Sequence, residues 1–355
     1  MPNVLHLLGP GADEQTRRLH EMLTSQIGAE FESITRTIGP AGSFRNLPTA
    51  GVRLRGQGAD VICVWGLTAL AAAIIAGHRR MLFCPDRFMG PRSLRWARSL
   101  MALGDVHMIC PTAGQQRLAV QRGIPFDRCH VIRPGVDFGR LKRKNPELRR
   151  QLGLADTDFV VLAPGESTVA TAHELAMWAI GILHVLDPAY KLVVWGRGTH
   201  AGPSAGLSRQ LRKQQMLKFA QPLLGRSVDY EDLLAIADMC LITAGSAVPT
   251  LPIITTMAAG VPIVSTVTFL LAELLEDRHT ALMVPQRSPR ALAQRVLDLR
   301  GDPSLRWKIA DTARAEAYEF FPMTRMLDQY RRVYRQMIGA KPINADEDSF
   351  APVLR

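Results

Sequence analysis

Short runs of consecutive apolar residues alternate with segments of helical periodicity along this chain, and the alternation happens twice. Val4–Leu8, Val61–Trp65, Met81–Cys84 and Val106–Cys110 are continuous in hydrophobicity, with helix-period segments near 14–26, 67–77, 92–103 and 112–122. A strand that is apolar on both sides must be covered on both sides, and a parallel sheet flanked by helices does this. The pattern lapses in the charged stretch Arg140–Arg150. It resumes with strand candidates Phe159–Ala163, Lys191–Trp195, Met239–Thr243, Val261–Val264 and Ala281–Val284. Leu175, Trp178, Ala179, Ile182, Leu183 and Leu186, spaced by three and four, predict a helix between the first two. The expected fold is α/β, with two doubly wound Rossmann-like domains facing each other across a cleft. The expected domains are residues 1–145 and 146–322, then an amphipathic helix over 323–338 that crosses back to the first domain and a mobile tail over 339–355. Ligands of such folds bind outside the carboxyl ends of the strands.

Composition narrows the function. The chain has 355 residues, 47% hydrophobic and 21% charged, enough for about two domains with real cores. Its net charge of +11 is uneven: residues 1–150 hold 22 basic and 11 acidic side chains, and the remainder holds 21 of each. Twenty of those 22 basic residues are Arg, which suits bidentate phosphate contacts. The first half is thus expected to meet something anionic. No run of about 18 uncharged apolar residues predicts a transmembrane helix. The N-terminus shows neither a basic leader nor a cleavage site, so a cytoplasmic protein is expected. The five cysteines, Cys63, Cys84, Cys110, Cys129 and Cys240, are widely spaced without zinc-site spacing, and read as small core residues. Nucleic-acid binding is disfavoured, because aromatic stacking clusters, recognisable motifs and a basic tail are all missing.

Three segments carry a resemblance. They are Val131-Ile-Arg-Pro-Gly-Val-Asp137, the strand–glycine units ending at Gly165 and at Gly196-Arg197-Gly198, and Met257-Ala-Ala-Gly-Val-Pro-Ile-Val264 followed by Glu273. In this order and spacing the chain resembles the retaining glycosyltransferases of family 4 (group 1), which have the GT-B fold. The resemblance implies a nucleotide-sugar donor held by the C-terminal domain and a glycan or lipid-linked acceptor at the N-terminal domain, with no cofactor and no metal. By resemblance alone, the process is cell-envelope or surface glycan synthesis.

Sugar transfer places growing negative charge on a departing diphosphate, which calls for cations or N–H donors there. The family uses an Arg and a Lys in the loop after the first strand of the second domain. Here the matching positions are Glu166 and Ala172, with Ser167 and Thr168 nearby as uncharged donors. The family's paired glutamates correspond to Ala247 and Thr255, leaving Thr255 one weak ribose contact. The other donor-side candidates are Gly165, Gly196, Arg197, Gly198, Glu273, and Ser246 and Thr250, which either cap a helix or cap it and hold a phosphate at its N-terminus. These four substitutions keep a second class open: a catalytically degenerate homologue acting as a binding or scaffold partner. On the acceptor side, Asp86 either orients an acceptor hydroxyl as the catalytic carboxylate or is a turn residue paired with Arg87. Gly9 and Gly11 mark a tight loop near the ligands. His6 reads as a satisfied core residue, and His173 as either a helix cap or a cation near phosphate. Arg92, Arg95 and Arg98 share one helix side, next to an apolar side marked by Trp96, Leu100 and Met101. That helix either rests on anionic lipid at the inner face of a membrane or is an ordinary packed helix with a solvated basic side.

Overall fold

A computed structural model describes residues 1–38, 58–86, 89–142, 144–165, 171–196, 205–225, 227–245, 250–285 and 287–339. The chain divides into two compact units, Met1–Gly135 with Met323 onward, and Val136–Pro322.

The first unit runs β1 (Asn3–Leu8), α1 (Glu14–Gln26), β2 (Glu32–Thr37), β3 (Val61–Trp65), α2 (Leu67–Ile75), β4 (Arg80–Cys84), α3 (Pro91–Met101), β5 (Asp105–Cys110), α4 (Ala113–Gln121) and β6 (Cys129–Val131). Its six strands are parallel in the order β2-β1-β3-β4-β5-β6. Successive β3 residues feed opposite faces: Ile62 and Val64 join one apolar cluster, and Val61, Cys63 and Trp65 join the other. This two-sided burial is why the strands read as unbroken apolar runs.

The second unit runs α5 (Pro146–Gln151), β7 (Phe159–Ala163), α6 (His173–Leu186), β8 (Tyr190–Val194), α7 (Ala205–Lys213), β9 (Leu217–Phe219), α8 (Ala220–Leu224), α9 (Tyr230–Leu234), β10 (Met239–Ile242), α10 (Thr250–Ala258), β11 (Ile263–Thr266), β12 (Leu282–Val284), α11 (Pro289–Gly301) and α12 (Pro303–Phe320). Its parallel sheet is ordered β12-β11-β10-β7-β8-β9. The last helix, α13 (Met323–Ile338), belongs to the first unit, where Met326, Leu327, Tyr330, Val333, Tyr334 and Met337 pack against Val61, Cys63 and Leu82. Arg80 of β4 donates to the Met337 carbonyl at 2.9 Å, and Arg335 pairs with Glu30.

The structure departs from expectation in several places. The units meet at Gly135–Val136, ahead of the charged stretch expected to divide them. Val136 donates to the Phe321 carbonyl at 2.9 Å, and Val136 and Leu148 lie in the second unit's core. Strands β2, β6 and β9 escape the apolar-run signal. β2 is an edge strand with most of its residues exposed, and β6 and β9 span three residues each. β11 starts two residues later than expected, at Ile263, after Pro262, which has no N–H to donate and whose carbonyl accepts from Cys240 at 2.9 Å. Trp96 is not on the packed side of α3. Leu94, Ala97 and Met101 are buried, while Trp96 is 71% exposed. All five cysteines are free and buried. The 340–355 tail, expected to be mobile, lies outside the described residues.

One contact at the end of β1 demands glycine. The Gly9 amide donates to the Trp65 carbonyl at 2.9 Å, and a Cβ on Gly9 would stand 2.7 Å from that same oxygen. Gly9→Ala should therefore push β1 and β3 apart and cost about 1–3 kcal/mol. Urea unfolding measures this, and an unchanged midpoint would contradict it.

Candidate functional site

Each sheet has a point where the strand order reverses, and there the loops diverge and leave strand ends open. In the first unit it lies between β1 and β3, where Gly9 and Gly66 follow. Gly66 adopts φ +96°, and a Cβ there would meet the Asp86 Oδ2 at 2.6 Å, so the carboxylate rests directly on its Cα. The Asp86 carbonyl accepts from Thr16 of α1 at 2.9 Å, and Asp13 caps α1 through the Thr16 amide. Asp86, Gly9 and Gly11 thus lie beyond the carboxyl ends of β4 and β1. Arg87 falls outside the described residues. Arg92 and Arg95 are exposed on α3, on the same stretch of surface as Trp96. Arg98 instead lies against Gly123, whose Cβ position would be 3.1 Å from the guanidinium carbon.

In the second unit the reversal lies between β7 and β10. Pro164, Thr171, His173, Ile242, Thr243 and Ala244 line a shallow notch there. The notch marks where the strand ends part. Hydrogen bonds brace its walls. Thr243 Oγ1 donates to the Thr171 carbonyl, Thr266 Oγ1 to the Ala244 carbonyl, and His173 Nε2 to the Pro164 carbonyl, each at 3.0 Å. Gly165 leaves β7 with φ +86°, a conformation that favours glycine.

Gly165, Gly196, Thr250 and Glu273 follow β7, β8, β10 and β11 in turn, so the sheet collects them along one edge. Thr250 is buried as the first residue of α10, and Glu273 ends a short 3-10 turn. Glu166, Ser167, Thr168, Arg197, Gly198, Ser246 and Ala247 lie outside the described residues. Ala172, at the expected lysine position, is buried in the left-handed region at φ +51°.

Three expectations change. Thr255 does not face a ribose: it is buried within α10 and its hydroxyl donates to the Leu251 carbonyl at 2.8 Å. His173 neither caps α6 nor carries charge. It is the first residue of that helix, and burial pushes its pKa down to about 4. His6 is buried but accepts only from the Trp65 indole, at 3.3 Å, and its Nε2 is left without a hydrogen-bond partner among the described residues.

One residue at this edge carries no sequence motif. Arg287, three positions past β12, lays its guanidinium over Gly245 just beyond β10, and a Cβ on Gly245 would stand 3.3 Å from Nη2. The available signal was its position alone, between a strand end and the Ser288-Pro289 helix start.

Residues 144–316 match the family described as glycosyl transferases group 1, a match that lies within the second unit. The D-inositol 3-phosphate glycosyltransferase of Salinispora arenicola is 26% identical over 234 residues, covering 60% of this chain and 50% of that protein. The chain spans about half the length of the curated relatives it matches. Anabaena HepE, solved in complex with UDP and glucose, is 18% identical with a TM-score of 0.74, covering 95% of this chain and 100% of that one. Sucrose-phosphate synthase from Thermosynechococcus elongatus is 16% identical with a TM-score of 0.74, covering 96% and 100%. Two parallel six-stranded sheets with covering helices are the GT-B glycosyltransferase fold. Among the described residues, no helix is long and apolar enough to cross a membrane.

The depressed His173 pKa has a stability consequence. Unfolded histidine titrates near 6.5, so the unfolded chain binds more protons below that pH. His173 contributes its full stability above about pH 6.5 and loses it as pH falls through about 4. His20 and His130, also held near 4 by burial, act in the same direction. His173→Gln should flatten the pH dependence of unfolding free energy across this window, by up to ~1.4 kcal/mol per pH unit. Urea midpoints between pH 4 and 7 test this; an unchanged slope would contradict it.

Proposed function

We propose that this protein is a retaining glycosyltransferase that moves a sugar from a nucleotide-sugar donor, bound by the second unit, to a glycan or lipid-linked acceptor at the first. The observation that carries this reading is the coincidence of the group 1 family match with the unit whose reversal point gathers Gly165, Thr243, Ala244 and the start of α10. Anabaena HepE, of the same fold, was solved with UDP and glucose. Departure of the diphosphate concentrates negative charge, which backbone N–H groups at the strand ends and the α10 N-terminus would stabilise. The sugar becomes oxocarbenium-like; the bond from its anomeric carbon to the diphosphate oxygen breaks, the acceptor hydroxyl oxygen bonds to that carbon, and the hydroxyl proton passes to the departing nucleoside diphosphate. Asp86 would orient that hydroxyl from its seat on Gly66.

Incubating the protein with UDP-, GDP- and ADP-sugars and a panel of glycan and lipid-linked acceptors should release nucleoside diphosphate. The product should keep the donor's anomeric configuration by proton NMR. An inverted product would remove retention. Binding without release across the whole panel would favour the non-catalytic homologue.

The α3 surface supports a membrane-borne acceptor and a peripheral site at the inner face. Arg92, Arg95 and Trp96 are exposed together, with Leu103 exposed just past the helix end. Arg92→Glu with Arg95→Glu should weaken sedimentation with phosphatidylserine-containing vesicles by at least about tenfold at low salt, at ~1 kcal/mol per basic residue. Equal sedimentation of variant and wild type would remove the membrane reading.

A further inference from the structure

A nucleotide-sugar transferase needs positive charge at its diphosphate, and the positions expected to supply it hold Glu166 and Ala172. We propose that Arg287 supplies that charge: its guanidinium, reaching in from the loop after β12, is the cation that receives the donor's diphosphate beside Gly245. The inference rests on the nucleotide-sugar reading and adds to it a residue that the resemblance does not supply.

Three observations converge on Arg287. The first is its direction. β12 is the outermost strand on its side of the sheet, and β11 separates it from β10. The guanidinium nevertheless lies against Gly245, beyond the end of β10, so the side chain points along the strand ends toward the reversal point, across roughly two strand spacings of ~4.8 Å. The second is its anchorage. Arg287 immediately precedes Ser288, whose hydroxyl accepts from the Ala291 amide at 3.3 Å to cap α11, and Pro289 begins that helix. The capped helix start fixes the backbone directly after Arg287. The third is its availability. Arg287 is exposed, and among the described residues its guanidinium makes no ion pair and no hydrogen bond. By contrast, Arg295 and Arg300 on α11 are paired with Asp298 and Asp187.

Gly245 is part of the device. Its hydrogen lets the planar guanidinium sit close over the backbone, where a Cβ would press on Nη2, Cζ and Nη1 at 3.3–3.4 Å. The adjoining Ala244 carbonyl already accepts one hydrogen bond, from Thr266 Oγ1. The N–H fork is left to face an anionic oxygen pair, the geometry that suits a phosphate bidentately.

Calorimetric titration of the full chain with UDP, GDP and ADP, and with uridine, guanosine and adenosine, tests the assignment. For whichever diphosphate the wild type binds, Arg287→Ala should weaken affinity by about 10- to 100-fold and leave the matching nucleoside within about twofold. Arg287→Lys should recover part of the loss, because it restores charge without the fork. Gly245→Ala should lower diphosphate affinity by displacing the guanidinium. Diphosphate binding that is unchanged in Arg287→Ala overturns this proposal and leaves the nucleotide-sugar reading intact. An equal loss for nucleoside and diphosphate also overturns it, since a merely structural role would affect both. A wild type that binds none of the six probes overturns the nucleotide-sugar reading, and this proposal with it.

Discussion

Everything in this molecule follows from sheets buried on both faces. A parallel strand covered by helices front and back has no side chain to spare for solvent, so its whole length must be apolar. Val61–Trp65 and Phe159–Ala163 are buried throughout, feeding alternate residues to two clusters. Chemistry is thereby confined to the carboxyl ends, where the chain leaves the sheet and the order of strands reverses. Close backbone contact holds those ends: Gly9 on the Trp65 carbonyl and Asp86 on Gly66 in one unit, Arg287 on Gly245 in the other.

This constraint explains what was legible in the sequence. Central strands announce themselves because burial on two faces writes an unbroken apolar run. Glu32–Thr37 does not, because an edge strand with exposed residues looks like any polar segment. Helix α13 was visible from its amphipathic period, since one face meets the first unit's core and the other meets water. The site was legible in part. Glycines after strands flagged the loops, and the motif positions showed where charge was missing. What compensates was not visible, because Arg287 reaches Gly245 across an intervening strand, and no spacing in the sequence encodes a contact between loops that leave different strands. Side-chain direction was equally hidden. Thr255 and His173 sit near the expected positions, yet each spends its hydrogen bond on a neighbouring carbonyl.

The charge asymmetry also takes a more local form. The excess of 22 basic over 11 acidic residues in the first 150 is not one continuous patch. Part of it serves structure: Arg80 holds the α13 carboxyl end, and Arg128 donates to the Gly104 carbonyl. Part is displayed on α3 around Trp96. The second unit is nearly balanced, with 21 basic and 19 acidic residues over 136–322, but that balance is an average over its surface. At the carboxyl edge, a guanidinium that makes no ion pair among the described residues matters more to a diphosphate than the net count, because charge acts strongly at contact distance and is screened within about 10 Å in salt.

The central claim is that the second unit's strand ends bind a nucleoside diphosphate. Hydrogen–deuterium exchange with and without saturating UDP, GDP or ADP tests it directly. Protection is predicted in peptides covering 160–175, 240–252 and 283–290, with the first unit's strand ends unchanged. Protection confined to the first unit, or none with any of the three, would contradict it.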